Sequence, residues 1–130
     1  MKKSNTKINF LALFFCSLFA LVSCESIPAL PKKPNLINKD DDESLILDES
    51  ELFRYATSLN VWLLTVKAYA NKHYANEKFP LFENFDPTFD NKNGIENINM
   101  LKNRVEYYKR YISKAEPIAI ACYRKYSKRQ

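Results

Sequence analysis

The sequence has a single glycine, Gly94, among 130 residues. A phosphate-binding loop needs several glycines, because its backbone must approach the phosphates closely, so nucleotide-binding loops of this kind are excluded. There is also one histidine, His73, and only three cysteines. These residues do not have the spacing of a zinc site, and we expect neither a metal nor a cofactor. No segment shows the alternation of apolar and polar residues that is typical of a strand, so we expect an all-α protein.

The N-terminus has the composition of a secretory leader. Lys2, Lys3 and Lys7 precede an apolar run over residues 10–22 that only Ser17 interrupts. A helix that crosses a membrane needs about 20 apolar residues, so this run is too short for a stable span and has the length of a secretory h-region. We therefore expect residues 1–23 to be a signal peptide that is absent from the mature protein.

The leader ends in Leu21-Val22-Ser23-Cys24, and this sequence resembles the lipobox of bacterial lipoproteins. The resemblance implies that the thiol of Cys24 receives a diacylglycerol, that the signal peptidase cuts before Cys24, and that the new amine is acylated. The mature protein is then attached to a membrane by its N-terminal lipid. Because Cys24 is blocked as a thioether, Cys122 is the only remaining thiol and no intramolecular disulfide is expected.

Charge is distributed unevenly along the mature chain. The whole sequence has 20 basic and 15 acidic residues and a net charge of +5. Removal of the three leader lysines lowers the net charge to about +2. Residues 24–50 carry three lysines and seven acids, whereas residues 51–130 carry 14 basic residues and eight acids. The mature chain therefore has an acidic N-terminal part and a basic remainder, and its length suits one small domain.

Residues 24–44 are predicted to form a flexible tether. Pro28, Pro31 and Pro34 recur at every third position, which disfavours a helix and suits an extended, polyproline-like spacer. The four adjacent acids at 40–43 repel one another and resist compaction. A sorting or metal-binding role for the acidic run is the alternative, but the run lacks the glycine-centred loop of a calcium site.

Residues 45–130 are predicted to form a helical domain. Its first helix runs from Asp48, which has Glu51 three residues later as in a capping box, to about Asn76. The apolar positions of this helix repeat every 3.5 residues on average; they are Leu52, Ala56, Leu59, Leu63, Val66, Ala70 and His73. A second helix with the same repeat is predicted over about 95–115.

Pro117 is predicted to end the second helix, because proline lacks a backbone donor and clashes with the preceding turn. A short third helix then follows over about 118–126. The predicted fold is therefore a small antiparallel bundle of two long helices and a short C-terminal helix. We expect a monomer.

Four phenylalanines lie in the segment that joins the two long helices: Phe79, Phe82, Phe85 and Phe89. Pro80 and Pro87 prevent a regular helix here. We expect the rings to fold back onto the core, since a small domain needs their apolar area. An exposed patch that binds a partner protein is the alternative.

Nothing in the mature sequence indicates catalysis. Cys122 and His73 could form a nucleophilic pair, but no third residue is evident that would orient the imidazole. Both residues fall on predicted apolar helix faces, where cysteine behaves as a small hydrophobic residue. We therefore expect no enzymatic activity.

The C-terminal third is rich in basic residues and tyrosines. Nine basic residues and two acids lie between residues 102 and 130, and five tyrosines are interleaved with them. This composition favours a polyanion-binding surface, although a solvated helix face is the plainer interpretation. An exported, lipid-anchored protein rarely meets nucleic acid, so we expect polyanionic glycans or anionic lipid head groups as ligands and no nucleic acid. The candidate residues are Lys102, Lys109, Arg110, Arg124, Lys125, Lys128 and Arg129.

The lipobox, the long helices and the composition rich in Lys, Asn and Ile together resemble the small plasmid-encoded surface lipoproteins of Borrelia-type spirochaetes, in particular the orf-D-like group. Beyond the leader the likeness is one of composition. It implies an outer-membrane lipoprotein that is displayed on the cell surface and acts as a binding module for a host protein or glycan. A structural or assembly lipoprotein that faces the periplasm and binds a protein partner is the alternative.

Overall fold

A computed structural model describes residues 26–86 and 98–129 of the chain. Helix α1 spans Asp42–His73 and helix α2 spans Ile98–Ser127. Residues 26–86 and 98–129 contain no strand, and the predicted all-α class is confirmed. The lipobox, Phe89 and the predicted start of the second helix at 95 lie outside the described residues.

The two helices run parallel to each other. Near their N-terminal ends the Tyr108 hydroxyl donates a hydrogen bond to Glu49 Oε1 at 3.1 Å. Near their C-terminal ends the rings of Tyr69 and Tyr126 are in edge-to-face contact with centroids 6.5 Å apart. Because the residue numbers of both partners rise together, the predicted antiparallel orientation is wrong.

The length of the connection between the helices permits this orientation. Residues 74–97 can extend over roughly 80 Å at about 3.3 Å per residue, whereas α1 is about 48 Å long. The described part of the connection runs back towards the N-terminal ends of the helices, since Phe79 stacks on Tyr126 and Phe85 contacts Tyr108. The described residues of the connection, 74–86, thus run from the level of Tyr126 back to the level of Tyr108.

Helix α1 begins six residues before the predicted start at Asp48. Asp41 is the N-cap, and its carboxylate accepts hydrogen bonds from the Ser44 backbone N–H at 3.0 Å and from the Ser44 hydroxyl at 2.8 Å. These bonds hold the pKa of Asp41 below its usual value. Asp42 and Glu43 lie in the first turn, where the helix dipole favours negative charge. The acidic run therefore starts a helix.

The segment before α1 packs along the bundle instead of forming the predicted flexible tether. Ile27 is buried, and the Trp62 indole N–H donates a hydrogen bond to the carbonyl oxygen of Pro28 at 3.0 Å. At the other end, Asp48 accepts hydrogen bonds from the backbone N–H groups of Ile37 and Asn38. Residues 26–40, which we call the N-terminal strap, therefore run antiparallel to α1.

Helix α2 continues through Pro117, so the predicted break and the separate third helix are wrong. The missing N–H of Pro117 leaves the carbonyl of Ser113 without its helical donor, but both residues are exposed and water can take the donor's place. On the opposite face, Ala115 and Ala119 are buried in the core. We attribute the continuity of the helix to this packing.

The core lies between the two helices and under the connection. Leu63 and Val66 from α1 and Ala119 from α2 are completely buried. Phe79 and Phe85 are buried and Phe82 is partly buried against the same core, which confirms the expected role of these three rings. Neither described helix is long and apolar enough to cross a membrane.

Candidate functional site

The structure places the predicted basic residues at two ends of α2 instead of on one surface. Lys102 and Lys109 lie near its N-terminal end, and Arg124, Lys125, Lys128 and Arg129 lie at its C-terminal end, while Arg110 borders a separate groove. A helix rises about 1.5 Å per residue, so Lys102 and Arg124 are roughly 33 Å apart. These two groups cannot act as one compact site.

The surface around Lys102 and Lys109 has mixed charge. Both lysines line a groove of about 380 Å³ that also contains acidic residues from three parts of the chain, Asp40, Asp48 and Glu106. Arg110 shares its groove with Glu83. Neighbouring negative charges weaken the attraction of a polyanion, so this end of α2 does not form a positive patch.

At the C-terminal end of α2, two of the predicted residues bind an acid of the connection. Arg129 Nη1 donates hydrogen bonds to both carboxylate oxygens of Glu77, at 2.8 and 2.9 Å, and Lys125 Nζ lies 3.1 Å from Glu77 Oε2. The hydrogen bond from Arg129, with that from Lys125, holds the pKa of Glu77 below its usual range, and Glu77 in turn raises the pKa of both bases. These bases therefore fasten the connection to α2.

Aromatic rings pack against the Arg129 side of this cluster. The Arg129 guanidinium lies 4.8 Å from the ring centroid of Tyr74 and 6.0 Å from that of Tyr126. Tyr126 is buried and stacks on both Tyr74 and Phe79. A cation over an aromatic face is attracted by the ring quadrupole, so the rings fix the orientation of Arg129. Of the interleaved tyrosines, Tyr108, Tyr111 and Tyr126 are buried in the core, whereas Tyr123 is exposed.

Two bases at the same end remain open to solvent. Arg124 and Lys128 are exposed, and neither forms an ion pair with any residue of the described ranges. With Lys125 and Arg129 they supply four positive charges, against the single negative charge of Glu77. The end of α2 is therefore positive, and we call Arg124, Lys125, Lys128 and Arg129 the C-terminal basic end.

Cys122 and His73 do not form an activated nucleophile. Cys122 is buried, and burial raises the pKa of its thiol, which disfavours the reactive thiolate. His73 is exposed, and its ring contacts the ring of Tyr69 with centroids 4.5 Å apart. The expectation that His73 is a core residue is wrong: it is the last residue of α1, and it is exposed.

The sequence did not reveal a partly buried contact between Tyr55, Glu116 and the largely exposed Lys33. The Tyr55 hydroxyl donates to Glu116 Oε2 at 2.6 Å, and Lys33 Nζ lies 3.1 Å from Glu116 Oε1. Burial raises the pKa of Glu116, but the hydrogen bonds from Tyr55 and Lys33 outweigh burial and lower it overall. Burial together with the Glu116 charge raises the pKa of Tyr55. The contact links both helices to the N-terminal strap.

Asn60 is a second polar residue that the sequence did not single out. Its side-chain oxygen accepts a hydrogen bond from the Tyr111 hydroxyl at 3.2 Å and one from the backbone N–H of Phe85 at 3.3 Å. Burial raises the pKa of Tyr111 to about 12, so its hydroxyl remains a donor at neutral pH. Asn60 therefore joins α1, α2 and the connection. In the sequence, the only sign of this role is that Asn60 is a polar residue beside the apolar repeat of α1.

The described residues contain no group of three or more His, Cys, Asp or Glu side chains that could hold a metal ion. Cys24, the predicted lipidation site, lies outside the part of the chain that the structure describes. The described residues thus form a small all-α domain. Its polar contacts link the N-terminal strap, the two helices and the connection to one another.

Comparison with known proteins assigns this chain to a class and a family. It is similar to the outer membrane lipoprotein BBA14 of Borreliella burgdorferi, with 31% identity over 120 residues that cover 92% of this chain and 94% of the relative. The class is therefore that of spirochaetal outer-membrane lipoproteins. The profile of the Borrelia orf-D family matches residues 29–128, and the chain belongs to this family. The family description names no enzymatic activity.

Proposed function

We propose that this lipoprotein is a non-enzymatic interaction module, displayed on the cell surface through lipid on Cys24, whose C-terminal basic end binds a polyanion. The lipobox resemblance and the family membership support the lipid anchor. The observation that carries the ligand class is the presence of two exposed bases, Arg124 and Lys128, without an ion pair in the described ranges.

The four bases of this end have different roles in the proposal. Lys125 and Arg129 are neutralised in part by Glu77, so they hold the shape of the site. Arg124 and Lys128 supply charge that no acid of the described ranges balances in a direct ion pair. Sulfate groups of a glycan and phosphate groups of lipid heads present the same chemistry to such bases.

A matched pair of variants tests the ligand class. Arg124→Gln/Lys128→Gln removes two charges from the C-terminal basic end, and Lys102→Gln/Lys109→Gln removes two charges from the mixed-charge end. We expect the first variant, as full-length protein in detergent micelles, to elute from heparin at lower salt than wild type, and the second to elute with wild type. Exposed charges are screened within about 8 Å at physiological ionic strength, so retention should fall steeply with salt.

Binding to vesicles distinguishes a sulfated glycan from lipid head groups as the ligand. Wild type that is retained on heparin and binds equally to neutral and anionic vesicles through its lipid recognises a glycan. A protein that gains affinity for anionic vesicles, and loses this gain on Arg124→Gln/Lys128→Gln, recognises lipid head groups. Co-elution of wild type and both variants at low salt would reject the polyanion proposal.

The anchor and its display are tested separately. Metabolic labelling with a fatty acid should mark wild type and leave Cys24→Ala unlabelled, since two or three acyl chains are needed for stable anchoring and a protein without them is released. Protease treatment of intact cells should remove the domain. Protection from protease would instead support the periplasmic alternative, and an unlabelled wild type would exclude the anchor.

A further inference from the structure

A mostly apolar groove of about 280 Å³ opens on the surface between the N-terminal strap and α2. Its apolar lining comes from three parts of the chain: Leu36 of the strap, Leu52 of α1 and Ile112 of α2. Leu52 is buried, whereas Leu36 and Ile112 are only partly buried against the core. The groove therefore exists only because the strap packs along the bundle, and it leaves apolar surface in reach of a ligand.

The two ends of the groove differ in charge. Lys109 and Glu116 both line it and are seven residues apart on α2, which is about 10 Å along the helix axis. Glu116 accepts a hydrogen bond from Tyr55 and is paired with Lys33. Lys109 is exposed and forms no ion pair with any residue of the ranges 26–86 and 98–129. One end is therefore neutralised, and the other presents a positive charge without a direct acidic partner.

The surroundings of Lys109 restrict the negative charge that it accommodates. Lys109 also borders the adjoining groove, whose lining includes Asp40, Asp48 and Glu106. These acids repel a doubly charged head group twice as strongly as a singly charged one, since Coulomb energies scale with charge. An ammonium group is a compact charge with three donors, and it bonds well to a single carboxylate. The geometry thus favours a carboxylate over a phosphate.

The dimensions of the groove set the apolar part of the ligand. An apolar cavity of about 150 Å³ holds benzene. A groove of about 280 Å³ therefore suits an apolar group of roughly six to ten carbons when part of the group stays in water. The distance of about 10 Å between Lys109 and Glu116 favours a linear group over a compact one. An apolar lining with a few placed polar groups is the usual form of a small-ligand site.

We propose that the groove between the N-terminal strap and α2 binds a medium-chain fatty acid, with its carboxylate at Lys109 and its alkyl chain along Ile112 towards Glu116. Each methylene that leaves water in the groove favours binding, and Lys109 supplies the contact that fixes the direction of the chain. The site lies outside the C-terminal basic end and does not depend on it. An apolar side chain of a partner protein would fill the same groove without using the charge of Lys109.

Titration with sodium octanoate, kept below the concentration at which it forms micelles, tests the site. The mature chain with Cys24→Ala is used, because it carries no lipid and needs no detergent. We expect the backbone amide NMR signals of Leu36 and Ser113, which line the groove, to shift and saturate. The signal of the exposed Lys128, at the C-terminal basic end, should stay in place, and acetate at equal concentration should shift none of the three.

Matched variants and a neutral ligand test the two contacts separately. Lys109→Gln should weaken octanoate binding about three- to fivefold, the effect of an exposed ion pair, and leave octanol binding unchanged. Lys102→Gln, which removes a lysine that lines only the adjoining groove, should change neither. Ile112→Ser should weaken octanoate and octanol alike by about fivefold, through lost apolar contact, with an unchanged helical circular dichroism spectrum.

Three outcomes would overturn the proposal. The first is an octanoate titration in which the signals of Leu36 and Ser113 do not saturate, or in which only the signal of Lys128 moves. The second is equal affinity of the wild-type groove for octanol and octanoate, which would indicate an apolar side chain of a partner protein as the occupant. The third is an equal loss of octanol and octanoate binding in Lys109→Gln, because a lysine that only shapes the groove has this effect.

Discussion

Asp48 offers a direct test of whether the N-terminal strap belongs to the folded unit. Its side chain is 5% exposed, and its two carboxylate oxygens accept hydrogen bonds from the backbone N–H groups of Ile37 and Asn38 at 2.8 and 2.9 Å. Asn38 has a φ of 57° in this arrangement, a left-handed conformation that asparagine tolerates. The replacement Asp48→Ala removes both acceptors and leaves the two donors facing an apolar methyl group.

The expected cost follows from these bonds. A hydrogen bond to a charged group contributes about 1.5–3 kcal/mol, and a buried donor without a partner costs about 1–3 kcal/mol. The strap is only partly buried and water can reach it after local opening, so we take the lower end of these ranges and expect a loss of about 2–3 kcal/mol. Stabilities of small domains are about 5–15 kcal/mol, so this loss is measurable.

Urea denaturation followed by fluorescence measures the loss. The only tryptophan, Trp62, is bonded to the carbonyl of Pro28 in the strap, and its signal therefore reports both strap release and unfolding. Glu51→Ala, which removes only the exposed ion pair with Arg54, is the control and should cost less than about 0.5 kcal/mol. An Asp48→Ala cost that matches this control would refute the packed strap and restore the flexible tether.

Three further predictions address the core, the connection and the free thiol. Leu63→Ala, at a completely buried site, should lower the free energy of unfolding by about 2–5 kcal/mol in urea denaturation, and Leu64→Ala, at an exposed site, should change it far less. Glu77→Gln should lower the melting temperature at pH 7. Because the pKa of Glu77 is lowered in the folded state, its stabilising effect is complete above the unfolded-state pKa and is lost as the pH falls through the folded-state pKa. The difference in melting temperature between wild type and variant should therefore shrink once the pH falls below about 4. A gap that persists at pH 2 would contradict the ion-pair assignment. Cys122, buried and with a raised pKa, should react with a thiol reagent at pH 8 much more slowly in native protein than in denaturant; equal rates would show that the C-terminal turns of α2 open readily.

The local features of the fold could be read from the sequence where one helix face determined them. The apolar repeat of α1 from Leu52 to Ala70 correctly predicted which residues are buried, because burial of such a stripe dominates helix placement. The folding of Phe79 and Phe85 onto the core was predicted for the same reason. These predictions require only the spacing of apolar residues along one element.

Features that depend on distant contacts could not be read in this way. The parallel orientation of the helices follows from the path of the connection, which no short-range pattern encodes. The acidic run was interpreted as solvated because repulsion among its members is visible in sequence, whereas the capping of α1 by Asp41 depends on where the helix begins. Pro117 was expected to end α2 because the packing that compensates for it, on Ala119, is a tertiary contact.

The candidate site shows the same division. The positive charge near residue 124 was evident from composition, but its separation into bases with and without an acidic partner depends on Glu77, which lies 48 residues before Lys125 in the chain and 3.1 Å from it in space. A variant that removes all four bases would therefore perturb folding and binding together. The choice of Arg124 and Lys128 as the binding pair required the structure.

The path of the N-terminal strap has a mechanical consequence for a protein held by lipid on Cys24. Only two residues lie between Cys24 and the buried Ile27, so the two are at most about 10 Å apart even when the chain is fully extended. With the proposed lipid on Cys24, the helical domain would lie close to the bilayer surface, because no long spacer separates the anchor from the packed strap. Any ligand of this domain would then bind close to the lipid head groups.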